Sequence, residues 1–127
     1  MLIPTLVFDD FFKNPYDVKK YANSLNYKKA ETGRWPGERT DSLHTIDHIF
    51  FEKTGEKILS LMFPNDWDNM KFSAEGYFQK ISNNYKNKGW IHRDIPFSFT
   101  AIIYLSHHEF CGTSIFKPKT IFPETKI

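Results

Sequence analysis

Apolar and polar positions change their period along the chain, and each period predicts an element. Residues 2–8, Leu-Ile-Pro-Thr-Leu-Val-Phe, are apolar and β-prone and stop at Asp9 and Asp10, which predicts a short strand. Asn14 and Pro15 then supply a cap residue and a proline at the first helical position. Val18, Tyr21, Ala22 and Leu25 follow at i, i+3, i+4 and i+7, so they line one face of a helix. Residues 31–42 turn polar around Gly33-Arg34-Trp35-Pro36-Gly37-Glu38-Arg39-Thr40 and read as a loop with a large ring in it. A second helix is predicted over 47–62, with Gly55 as its weak point.

Beyond Pro64-Asn65-Asp66 the pattern changes to β. Residues 71–82, 97–106 and 113–116 are short runs with turn signals between them, at 83–89 and 107–112. The run Phe-Ser-Phe-Thr-Ala-Ile-Ile-Tyr-Leu at 97–105 is almost continuously apolar, as a strand buried on both faces would be. The class predicted is α+β, with a helical front half of about 65 residues and a β back half of about 60. No internal repeat or low-complexity tract interrupts it.

Composition narrows the function classes. A chain of 127 residues has room for one domain. The balance of 17 Lys and Arg against 15 Asp and Glu leaves +2, and the lysines are scattered, which argues against nucleic acid as a partner. Aromatic residues make up 17%, with 13 Phe, enough to promise a ring-rich core or an aromatic cavity. Cys111 stands alone and can form no internal disulfide, which points to a reducing compartment and so to the cytoplasm. The amino-terminal stretch lacks a basic region and is broken at Pro4, unlike a signal peptide, and no apolar run approaches the roughly 20 residues of a membrane span.

Candidate chemistry centres on His92-Arg93-Asp94. In an extended segment, residues two apart share a face, so His92 and Asp94 can hold one ion while Arg93 points away. Imidazole plus carboxylate is two-thirds of the facial triad of non-haem Fe(II) oxygenases. Such a tripeptide arises by chance about 0.3 times in a chain of this composition, and an ion-paired surface histidine is its plain alternative.

The setting of that tripeptide is informative. Tyr77-Phe-Gln-Lys-Ile-Ser82, Tyr85, Gly89-Trp90, His92-x-Asp94, the 99–106 strand ending Tyr-Leu-Ser, and Gly112-Thr113-Ser-Ile-Phe116 follow one another in order. This order resembles the first half of the catalytic core of 2-oxoglutarate/Fe(II)-dependent oxygenases. The likeness is to the prolyl 4-hydroxylase branch and to small oxygenase-like proteins encoded by bacterial viruses. Leu6-Val-Phe-Asp-Asp-Phe-Phe12, Asn14-Pro15 and the helix after them are similar to the family's opening strand and first helix, and Trp35-Pro-Gly-Glu-Arg39 to its entrance loop.

The resemblance implies an N-terminal strand and helices packed on a partial double-stranded β-helix, or jelly roll. It implies His92 and Asp94 as iron ligands and catalytic centre, Tyr85 and Thr113 as hydrogen-bond partners of the 2-oxoglutarate carboxylate, and Trp35 and Arg39 as substrate contacts. Fe(II), 2-oxoglutarate and O2 come with it, as does a peptidyl or small-molecule substrate. Each residue also has a plainer role: Tyr85 as a turn aromatic on Trp90, Thr113 as a β-branched strand residue, Trp35 as a ring packed on its own domain.

The family also uses a distal His and a following Arg or Lys. His107 and His108 lie beyond a strand of about eight residues, some 25 Å along a sheet at roughly 3.3 Å per residue, and read as a solvated turn. The three or four strands expected after residue 70 fall short of the eight of a jelly roll. The expectation is an oxygenase-like chain lacking its C-terminal part, organised as a helical part at 1–70, first core strands at 71–116 and a tail at 117–127. Its barrel would be incomplete and its open sheet edges prone to self-association. Two other readings stand beside it: a non-catalytic jelly-roll-like interaction fragment with a vestigial metal motif, and a single-strand nucleic-acid binder using aromatics as stacking platforms.

Overall fold

A computed structural model describes residues 5–30, 35–82, 92–107 and 111–116. The chain divides into one unit over Leu6–Gly89 and another made of Met1–Thr5 with Trp90–Ile127.

In the first unit, proline at the first turn opens helix α1 (Pro15–Asn23), with Asp17 near its positive end and Lys20 near its negative end. Asn14 makes no side-chain cap bond. The stronger closure is at the other end. Ser24 Oγ donates to the Tyr21 carbonyl at 2.6 Å and Tyr27 Oη to that of Ala22 at 2.7 Å, adding to the backbone bonds these carbonyls accept from Ser24 N–H at 3.0 Å and Leu25 N–H at 3.3 Å.

Helix α2 (Leu43–Ile46) and helix α3 (His48–Met62) are separated by one residue, Asp47, whose φ of −154° lies outside the helical range. Asp47 Oδ1 accepts from the Phe50 backbone N–H at 3.0 Å and caps α3, while Oδ2 accepts from Tyr21 Oη at 2.5 Å and ties that cap to α1. The carboxylate beside it, with burial and Coulomb repulsion adding to the hydrogen bond, pushes the Tyr21 hydroxyl up to about 12. The same two hydrogen bonds hold the Asp47 carboxyl below the usual carboxylate range, against a smaller opposing effect of burial. Gly55 is accommodated inside α3, where a Cβ would meet the Phe72 ring at 3.4 Å.

Strands β1 (Lys28–Lys29), β2 (Glu38–Arg39) and β3 (Gln79–Lys80) form an antiparallel sheet in that order. Arg39 faces Lys28 on one side and Gln79 on the other. Gly37, at φ +70°, leads into β2, and a Cβ there would sit 2.0 Å from the Lys80 carbonyl oxygen, so only glycine fits. The pairing continues past β2. Buried Thr40 donates its N–H to the Phe78 carbonyl at 3.0 Å and accepts the Phe78 N–H on Oγ1 at 3.2 Å, and Leu43 N–H reaches the Gly76 carbonyl at 2.9 Å. Ala22, Leu43 and Leu59 are buried, and the Phe12, Tyr21, Phe50 and Phe78 rings meet with centroids 5.7–6.2 Å apart.

The architecture is α+β, with differences in detail from the sequence expectation. Residues 71–82 lie in the same unit as the helices, and of them only Gln79–Lys80 is strand. Residues 5–8 form no strand, and Val7 is 87% exposed. The loop expected at 31–42 contains β2. Residues 97–106 and 113–116 carry no strand ladder, and Phe97, Ile102, Tyr104 and Phe116 are exposed. Apolar, β-branched sequence records fit to a pleated, half-buried surface, and becomes a strand only where a neighbouring backbone pairs with it.

Candidate functional site

His92 and Asp94 meet in the second unit. His92 Nε2 lies 3.2 Å from Asp94 Oδ1, with both side chains about half exposed. The other carboxylate oxygen, Oδ2, accepts from Thr100 Oγ1 at 2.7 Å. The carboxylate is thus fixed from two directions, by the imidazole it faces and by a hydroxyl six residues on. The separation is that of a direct imidazole–carboxylate ion pair, the plain alternative named above, and it is also near the roughly 3 Å between cis donors about 2.1 Å from one octahedral ion. The donor chemistry, one imidazole nitrogen and one carboxylate oxygen, suits a borderline divalent metal. No group of three metal-ligating side chains occurs among the described residues.

Thr113 meets Tyr104, hydroxyl to hydroxyl, within the same unit. Tyr85 and His108 lie outside the described residues, and His107 is exposed. Cys111 is a free, exposed thiol.

Trp35 and Arg39 belong to the first unit, and they form a cluster there. The Arg39 guanidinium lies 4.5 Å above the Trp35 ring and 5.4 Å from that of Tyr77. Arg39 Nε donates to Gln79 Oε1 at 3.1 Å, and Gln79 Nε2 donates to the Pro36 carbonyl at 2.7 Å. Trp35 is half-buried, and its buried Nε1–H has no hydrogen-bond partner among the described residues. Arg39 is thus held on strand β2 rather than on a loop.

Sequence reasoning passed over Thr100, Tyr104, Tyr77 and Gln79 as partners of these residues. Arg39 and Gln79 are 40 positions apart and meet only through the β2–β3 register, which no local pattern encodes. Thr100 had a weak signal, as a hydroxyl within one short turn of Asp94. No described helix is long and apolar enough to cross a membrane. Comparison with protein-family models, with curated proteins and with solved structures returned no match.

Proposed function

We propose that the chain is an Fe(II)- and 2-oxoglutarate-dependent oxygenase, or part of one, acting as a hydroxylase on a peptidyl or small-molecule substrate in the cytoplasm. The observation that carries this reading is the convergence of His92 Nε2 and Asp94 Oδ1 at 3.2 Å, with the remaining carboxylate oxygen held by Thr100. The order of motifs around that pair supports it, and a jelly-roll core is part of the same proposal. Bound iron would supply activation of O2 coupled to decarboxylation of the cosubstrate. His92 and Asp94 hold two coordination positions and leave the others to ligands outside the described residues. Thr100 restricts the Asp94 carboxylate to one orientation, as partners beyond the ligands do in metal sites. Thr113 and Tyr85 are the candidate hydrogen-bond partners of the 2-oxoglutarate carboxylate, and Arg39 with Trp35 the candidate substrate contacts.

Anaerobic Fe(II) calorimetry on the full chain tests the ligand assignment. The high-affinity site is expected to disappear in His92→Ala, whereas unchanged affinity would remove the assignment.

A second reading has its own observation. Ile95, Phe97, Ile102, Tyr104, Ile115 and Phe116 are all between 45% and 72% exposed, and apolar surface of this kind is what interaction sites use. On that reading the second unit is an interaction surface and the metal pair is vestigial. It predicts concentration-dependent self-association in sedimentation velocity and no iron uptake.

A further inference from the structure

A second pair of histidines occupies a different place in the fold. His44 is in α2 and His48 opens α3, and the break at Asp47 brings their rings edge to face with centroids 4.9 Å apart. Their Nδ1 atoms face each other at 3.4 Å. That distance is at the long end for a hydrogen bond between the two ring nitrogens. It also matches the edge of a tetrahedral metal site: two nitrogens about 2.0–2.1 Å from one ion stand roughly 3.3–3.4 Å apart.

The surroundings fit a ligand pair as well. His48 Nε2 lies 3.0 Å from Glu52 Oε1, one helical turn further along α3. A carboxylate accepting from Nε2–H fixes the tautomer in which Nδ1 carries the free lone pair, the arrangement in which metal-bound histidines are commonly held. The Phe51 ring packs against His44 at 5.5 Å in a T-shaped contact and limits the rotation of that ring. His44, His48 and Glu52 are exposed, so an ion could reach them from solvent.

We propose that His44 and His48 bind a divalent transition metal of the zinc, copper or nickel type through their Nδ1 atoms, with Glu52 as the positioning residue for His48. Water completes the coordination, and the bound ion clasps the α2–α3 corner across Asp47. The proposal is independent of the iron reading, because it involves neither His92 nor Asp94.

The test uses the full chain carrying His92→Ala and Asp94→Ala, so that the other candidate pair is silent, with Zn(II) as the probe. Calorimetry is expected to show uptake of one equivalent, and either His44→Gln or His48→Gln is expected to weaken it at least tenfold. Glu52→Gln is expected to weaken it about tenfold without changing the stoichiometry. In the absence of any further substitution, NMR should show the ring signals of His44 and His48 shifting together on zinc addition. No uptake, uptake indifferent to His44→Gln, or shifts confined to His107 and His108 would each overturn the proposal.

Discussion

Both units expose large apolar side chains, but among the described residues the buried apolar ones all lie in the first unit. In the first, Phe50 touches Phe12, Tyr21 and Phe78, and Leu59, Leu43 and Ala22 are at most 7% exposed. In the second, Phe97, Ile102, Tyr104 and Phe116 are 45–59% exposed, and the hydrogen bonds that organise it join polar side chains close in sequence. Burial yields stability in proportion to the area taken from water, so the first unit is where stability resides. The second has no buried apolar side chain among its described residues.

The sharpest way to break this contrast is truncation on each side of it. Leu59→Ala should cost about 3 kcal/mol, as buried leucines do, while Ile102→Ala should cost below ~1 kcal/mol. Urea denaturation measures both, and equal losses would contradict the separation. Glycines give a second comparison. Gly37→Ala forces a Cβ against the Lys80 carbonyl at positive φ and should destabilise by at least ~2 kcal/mol, whereas Gly112 has open space around it and Gly112→Ala should stay within ~0.5 kcal/mol.

A subtler effect concerns pH. Asp47 titrates lower in the folded state than in the unfolded chain, so its contribution is present above about pH 4 and is lost as pH falls through its depressed folded value. Tyr21 titrates higher when folded, so its contribution is complete below about pH 10 and is lost as pH rises towards 12. Tyr21→Phe should therefore lower the urea midpoint most near neutrality, with the gap from the unaltered protein narrowing at both pH 3 and pH 12. A gap constant with pH would show that the Tyr21–Asp47 bond is not its source. Smallest of all, Thr100→Val should leave the fold intact and weaken metal binding about tenfold by freeing the Asp94 carboxylate. Affinity unchanged in that variant would remove Thr100 from the site.

Local signals were legible in the sequence where one residue decides the outcome by itself. Pro15 opens α1 and Asp47 caps α3 at the residue where the second helix was expected to begin, since proline and a capping carboxylate act within one turn. Helix α2 went unseen because Asp47 serves two elements at once, ending one helix as it starts the next. The sheet was illegible for a different reason. Lys28–Lys29 and Glu38–Arg39 have no apolar alternation; Gly37 and Thr40 bring the β2 backbone to β3 and its approach, and β1 pairs along the other edge of β2. Conversely, 97–106 has the composition of a buried strand and no ladder, since pairing is decided by a partner that composition does not specify. For the candidate site, the i, i+2 spacing of His92 and Asp94 anticipated that their side chains meet, while the hold of Thr100 on Asp94 needed the fold of the intervening residues.

The most direct test of the central claim is anaerobic titration of the full chain with Fe(II) and 2-oxoglutarate, followed through the visible charge-transfer band of iron chelated by the cosubstrate. The account predicts a band that saturates with both components and is lost in Asp94→Ala. No band, or a band that persists in Asp94→Ala, would contradict an iron and 2-oxoglutarate site built on His92 and Asp94.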